Sequence, residues 1–227
     1  MSARGEQRRE ALVVAAAALL GRDGPGALSA RSVAGEAGVP LAAVSYYFDT
    51  VDDLVRTAAE RLYDGYLRAA RDLVDRAPAG LDDDGLARLV VRVWLDPTPA
   101  GPDPDRVRSL LTSLASAAQA PALAPRLRRY DRGASDLLAQ VLRGAGRETG
   151  RVRVLLAALD GFALARLCGV SAGEGAGEDG AAEDGAGGDG AGEDGAADLR
   201  PGTLLDDLAG DLRLVLDDLA PTAPTGP

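Results

Sequence analysis

Few side chains in this 227-residue sequence are equipped for covalent chemistry. There is no His and no Lys, one Cys (Cys168), one Trp (Trp94) and five Tyr, beside 25 Arg and 35 carboxylates. Without imidazole there is no His base, no His metal ligand and no Ser–His or Cys–His nucleophile pair. Without Lys there is no Schiff base and no phosphate clamp of the Walker type. A single Cys forms neither an internal disulfide nor a thiolate cluster, which suits a reducing compartment, and a cytoplasmic location is expected. No pair of acids stands out as a general acid and base, so an enzyme is not expected, nor a cofactor or a metal. What the spacing does offer is recognition. Ala34, Gly38 and Val44 stand four and then six residues apart. A small residue lets two helices cross closely, a glycine makes the tight turn, and an apolar residue buries the second helix on the first, as in a helix-turn-helix.

The elements that would position these residues read as helices throughout, with no sustained period-two stretch. Residues 11–20 (ALVVAAAALL) follow Arg4, Arg8 and Arg9, as the apolar core of an export leader would. Glu6 and Glu10 interrupt that basic stretch, however, and Leu12, Ala16 and Leu19 share one helical face before Gly21 and Gly24. The helix is the reading adopted, and no other apolar run approaches a membrane span. A short helix runs from Ser29, a plausible N-cap, to Ala37, and another from Leu41 to Phe48 just after Pro40. A long helix over about 52–76, capped by Asp49 or Thr50, aligns Leu54, Ala58, Leu62, Tyr66, Ala69 and Leu73. Breaks rich in Pro, Gly or Asp fall at 77–85, 96–104, 120–125 and 144–150. A helix over 151–169 aligns Val152, Leu155, Leu159, Phe162 and Ala165. A last one aligns Leu204, Leu208, Leu212, Val215 and Leu219. The fold class is all-α. Residues 1–50 are expected to form a three-helix helix-turn-helix domain and 51–227 a second helical domain.

The net charge of −10 belongs to one place. Residues 171–198 hold nine acids and no base, which leaves 25 Arg against 26 acids elsewhere. The segment repeats Gly-Glu-Asp-Gly-Ala with no aromatic or branched apolar residue, so it is expected to be a disordered acidic insert between two helices. Its formal GxGxxG at Gly175, Gly177 and Gly180 follows no strand, and its carboxylates would repel a pyrophosphate. Lys, Ile and Asn are all absent, whereas Ala, Gly, Arg and Leu abound. That bias points to a GC-rich bacterial genome, so Arg in place of Lys carries no message at most positions.

Residues 31–54, RSVAGEAGVPLAAVSYYFDTVDDL, closely resemble the DNA-binding domain of the TetR family of bacterial transcriptional regulators. The likeness extends over about 8–56. Its signature falls on Val33-Ala34, Ala37-Gly38-Val39, Tyr46-Tyr47-Phe48 and Thr50 to Leu54. The resemblance implies that the helix from Leu41 to Tyr47 enters the major groove of a pseudo-palindromic operator. Leu41, Ala42, Ala43 and Ser45 would then face base edges, and Tyr46, Tyr47 and Thr50 the backbone, with Arg31 and Ser29 on its flank. Ala meets a thymine methyl, Ser bonds to either base edge, and Arg31 grips a phosphate. Phe48 and Val44 are assigned to the core.

The pattern departs from the family in two places. Val51 stands where the family has Lys, and Ser45 where an aromatic is frequent. Residues 1–50 carry five Arg against five acids, so binding is expected to be weaker and less salt-dependent than usual, with Arg4, Arg8 and Arg9 compensating from an N-terminal arm.

Beyond the head, the resemblance implies a variable helical domain that binds a small molecule and dimerises through its last two helices. LAALDGFALARL (156–167) is similar to the first of that pair. Trp94, Leu110, Leu114, Tyr130, Phe162 and Arg166 are candidates to line a cavity for an apolar or amphipathic ligand. Asp160 and Cys168 lie on the same helices, and an Asp160–Arg166 contact would be purely structural. Ala157, Gly161 and Ala165 would let a second copy approach closely. The expected function is a homodimeric repressor released from DNA by its ligand. The alternative is a small-molecule-binding protein of the same fold with weak or lost DNA binding.

Overall fold

The computed structural model describes residues 3–116, 122–169 and 201–218. All regular elements among them are helical: α1 (Ala3–Asp23), α2 (Ala30–Glu36), α3 (Leu41–Tyr47), α4 (Val51–Asp75), α5 (Asp83–Leu95), α6 (Pro104–Ser116), α7 (Ala124–Gly144), α8 (Val152–Leu167) and α9 (Pro201–Asp218). A single 3-10 turn, Pro25–Ala27, follows α1. The acidic insert at 171–198 lies outside the described residues. None of the described helices is long and apolar enough to cross a membrane.

Helices α2, α4, α5 and α6 start where a side chain satisfies a free backbone N–H, whereas α3 follows Pro40 without a side-chain cap. Ser29 caps α2 by accepting from Ser32 N at 3.1 Å, while the Ser32 hydroxyl accepts from Ser29 N at 2.9 Å, a reciprocal box. Thr50 caps α4 by accepting from Asp53 N, with Asp52 and Asp53 in the first turn where the helix dipole favours them. Asp82 caps α5 through Gly85 N. Asp103 receives the N–H groups of Asp105 and Arg106 at the start of α6, beside Pro104.

Two cores result. The smaller gathers Leu12, Ala16 and Leu19 of α1, Val33 and Ala34 of α2, Val44 of α3, Phe48, and Leu54 and Ala58 of α4. The apolar run at 11–20 is thus the wall of a packed domain. The larger core joins α4–α9 around Trp94, Tyr130 and a mass of Leu, Val and Ala. Helix α4 serves both, and its buried face differs from the expected stripe. Tyr63 and Ala70 are buried, whereas Ala69 and Leu73 are only half-buried. A periodicity count cannot locate such a shift, because α4 changes neighbours along its length, from α1 to α5 and α7.

Candidate nucleic-acid interface and ligand site

The turn between α2 and α3 depends on Gly38. Its φ of +64° is left-handed, the region that glycine enters without strain. Val39 N donates to Ala34 O at 3.0 Å and Gly38 N to Gly35 O at 3.1 Å, which closes α2 in a Schellman motif. The chain then extends through Val39 and Pro40 and starts α3. Val44 and Phe48 anchor α3 to the small core, and the Arg9 guanidinium lies 5.2 Å from the Phe48 ring centre. Arg22 at the end of α1 reaches Glu36 at the end of α2, 3.4 Å away.

This scaffold leaves one face of α3 to solvent. Tyr46 is 80% exposed and Leu41 51%, and Ala42 and Ser45 are exposed beside them. Ala43 and Tyr47 are half-buried, with Tyr47 edge-on to Tyr46 at 4.8 Å. The Ser45 hydroxyl donates to Ala42 O at 3.3 Å, a long bond that a base edge could replace. Arg31 is exposed on the first turn of α2 and makes no ion pair among the described residues. Ser29 and Thr50 are exposed too, and both also serve as caps. Seven of the nine residues are thus exposed, and Ala43 and Tyr47 are half-buried. Val51 is 41% exposed at the start of α4, and Arg56 pairs with Asp53. Arg4, Arg8 and Arg9 lie on α1 rather than on an extended arm, because the helix already begins at Ala3.

In the second domain the aromatic side chains converge. Tyr130 is buried and donates its hydroxyl to Trp94 O at 2.8 Å. Its ring lies 6.3 Å from that of Trp94, 5.5 Å from Tyr63 and 6.2 Å from Tyr66. The Trp94 indole N–H donates to Asp160 Oδ1 at 2.7 Å. Burial raises the Asp160 carboxyl above its ordinary value, the Trp94 hydrogen bond opposes the rise, and nearby Asp131 adds to it. Burial likewise pushes the Tyr63 and Tyr66 hydroxyls up to about 12.

Of the six ligand candidates, Trp94, Leu110 and Tyr130 are buried in this core, and Leu114 and Phe162 are half-buried against it. Arg166 stands apart. Its Nη2 donates to Asp211 Oδ1 of α9 at 2.9 Å, and Asp207 lies 3.8 Å away. The Asp160–Arg166 contact does not form, since Asp160 turns to Trp94 and Arg166 to α9. A cavity of about 200 Å³ opens between α4 and α7, lined by Glu60, Tyr63, Asp64, Pro125, Arg126 and Arg129. None of the six candidates lines it, and Tyr63 alone joins it to the aromatic cluster. The signal for Tyr63 and Tyr66 was their i,i+3 spacing on the long helix. No periodicity rule distinguishes such a pair from ordinary core.

The fold is a helix-turn-helix head on a larger helical domain, and comparison with known proteins identifies which kind. Residues 12–58 match the family model for bacterial regulatory proteins of the tetR family, and residues 81–184 match the tetracyclin repressor-like C-terminal domain. Among solved structures, the multidrug binding protein EbrR complexed with proflavin is 30% identical, covering 71% of this chain and 90% of its own, with a TM-score of 0.54. EbrR complexed with imidazole is 26% identical, covering 96% and 97%, with a TM-score of 0.59. A TetR-family member from Streptomyces coelicolor is 27% identical, covering 95% and 99%, with a TM-score of 0.57. No curated protein matches the sequence. The chain belongs to the TetR family of DNA-binding transcriptional regulators.

Proposed function

We propose that this protein is a cytoplasmic, homodimeric repressor that releases its operator when a small aromatic or amphipathic molecule enters the second domain. The observation that carries the DNA half of this reading is the solvent-facing side of α3. Seven residues expose Leu41, Ala42, Ser45 and Tyr46, although Val44 and Phe48 anchor the same element. A helix that short gains little stability from its own backbone, and its packing holds an apolar and aromatic face toward solvent. The DNA-contacting set is Ser29, Arg31, Leu41, Ala42, Ala43, Ser45, Tyr46, Tyr47 and Thr50, with residues 1–50 as the head.

The ligand half rests on the aromatic cluster behind the α4–α7 cavity and on the likeness to EbrR, which binds proflavin. Tyr63 would take the ligand ring and hand it inward toward Tyr130 and Trp94. Dimerisation rests on the outer face of α8 and α9, where Val154, Leu164 and Leu214 are exposed beside Ala157 and Gly161. Two copies joined there would carry two heads to a pseudo-palindrome.

The test is fluorescence anisotropy with DNA from upstream of the gene, or with a duplex selected from random sequence, at two salt concentrations and against a scrambled control. Specific binding is expected, with a modest salt slope. Trp94, the one tryptophan of the chain, then reports ligand entry, and quenching by proflavin should coincide with release of the duplex. A protein that selects no duplex but still quenches would instead be a ligand-binding relative that has lost its DNA. The exposed Val51 is the observation that favours this second reading.

A further inference from the structure

Apart from the aromatic residues, the buried polar residues among the described ones are Asp96 at the end of α5 and Ser109 and Ser113 on α6. A polar group enters such a core at a cost unless a partner satisfies it, so each marks a specific contact. Asp96 accepts from Thr98 N at 3.0 Å and faces Arg106 Nη1 at 3.4 Å, which pins the first turn of α6 to the end of α5. Ser109 donates its hydroxyl to Leu20 O at 2.7 Å, in the last turns of α1. Ser113, one turn further along α6, faces the Tyr63 hydroxyl. One helix therefore holds the head with one serine and the aromatic cluster with the next.

The head joins the rest of the molecule by two main routes. One is α4, which runs continuously through both cores, and the other is α6 against the end of α1. Helix α4 packs on α1 in the head and on α5 and α7 beyond it, and the contact of α6 with α1 adds a constraint away from the α4 axis, which a hydrogen bond makes directional. The rest of this junction packs closely around one small void. A cavity of about 10 Å³, one water in size, lies among Leu20, Gly21, Leu62, Tyr66 and Ser109. A methyl group on Gly21 would stand 3.2 Å from Leu62 Cδ1 and 3.5 Å from the Tyr66 hydroxyl, so α1 crosses α4 there without a side chain of its own.

We propose that Ser109 is a positioning residue: its hydroxyl, bound to the Leu20 carbonyl, sets the angle between the reading head and the second domain. The Leu20 carbonyl also accepts from Gly24 N at 3.2 Å, so removing the Ser109 hydroxyl leaves no orphaned acceptor. The consequence for operator binding rests on the function proposed above, but the mechanical claim does not.

The experiment uses the full chain carrying Cys168→Ser with spin labels on Asp49→Cys in the head and Arg143→Cys at the end of α7, both exposed positions. Labelled chain is diluted into excess unlabelled chain, so that pulsed dipolar spectroscopy reads distances within one chain. The parent is expected to give one narrow distribution. Ser109→Ala should raise a second head-to-domain population from below about 10% to a comparable share. Ser109→Thr, which keeps the hydroxyl, should restore the parent distribution. Ser113→Ala, on the same helix and likewise buried but facing the Tyr63 hydroxyl instead of bonding to the Leu20 carbonyl, should leave it unchanged. A Ser109→Ala distribution that superimposes on the parent overturns the proposal. Equal broadening in the two alanine variants also overturns it, since that is general loosening of α6, as does loss of helix content in Ser109→Ala. Operator anisotropy on the same proteins separates the two readings. If the parent binds no duplex the DNA-binding function fails, while the distances still decide the role of Ser109.

Discussion

Arg31 and Val51 differ from most surface residues in that a change of charge at either should register on DNA. Arg31 is exposed beside α3 with no ion pair among the described residues, so its guanidinium is available to a phosphate. Arg31→Ala is expected to weaken binding about equally across sequences and to lower the salt slope by about one unit, measured by anisotropy against ionic strength. Val51→Lys should do the reverse and strengthen binding, because the side chain is 41% exposed and Arg56 is already held by Asp53. Asp160 obeys a different rule. Its folded pKa is raised, so the folded state holds its proton more tightly than the unfolded state. Folding therefore carries a penalty that is full above the raised pKa and vanishes as pH falls below the ordinary carboxyl value of 3.8. Asp160→Asn keeps an oxygen for the Trp94 indole and removes this penalty. It should be at least as stable as the parent at neutral pH, with a melting temperature that changes less between pH 4 and 7.

At the scale of elements, caps and anchors decide where the short helices sit. Thr50 satisfies an N–H at the start of α4, and replacing it with Ala should cost about 1 kcal/mol of stability. Phe48 is buried under α3 and beneath Arg9. Phe48→Ala should cost about 3–5 kcal/mol by denaturant unfolding and abolish DNA binding with the head's packing. Both residues were legible in the sequence, because a Thr before an acidic turn and a phenylalanine closing a short helix have local signatures. The reciprocal Ser29–Ser32 box was half legible, since Ser29 stood out and its partner lacks the usual Glu or Gln. The break at 96–104 marked the start of α6, but the roles of Ser109 and Ser113 were not legible. A serine on an amphipathic helix reads as surface until its neighbours are known.

For the whole molecule the open matter is what covers α8 and α9. Leu164 and Val154 are exposed on α8 and Leu214 on α9, while Gly161 has nothing within 4 Å of where a Cβ would stand. A charge at the centre of an apolar contact is costly, so Leu164→Glu is expected to turn the proposed dimer into a monomer by analytical ultracentrifugation. Operator affinity should fall with it, because one head alone reads half a site. Most of the net negative charge belongs to residues 171–198, so the arginines of the head face a nearly neutral remainder of the chain. Helix α9 is tied to the rest by Arg166–Asp211 and Arg88–Asp206, and Arg147 Nη1 donates to Leu216 O. None of these long-range pairs follows from spacing.

Local information carried a great deal in this chain. Composition excluded most chemistry, period and breakers delimited the helices, and the stretch from Arg31 to Leu54 identified the head. Composition is a sum over the chain, while period, breakers and the turn of the head are set by nearby residues, the range over which backbone hydrogen bonds, caps and turn geometry act. The tertiary structure decided which face of α4 is buried along its length, that Tyr63 and Tyr66 join Tyr130 and Trp94, that Arg166 answers Asp211 rather than Asp160, and that Ser109 reaches Leu20. Those contacts join residues far apart in the chain, and they depend on helix packing angles that similar Leu and Ala stripes permit in several ways.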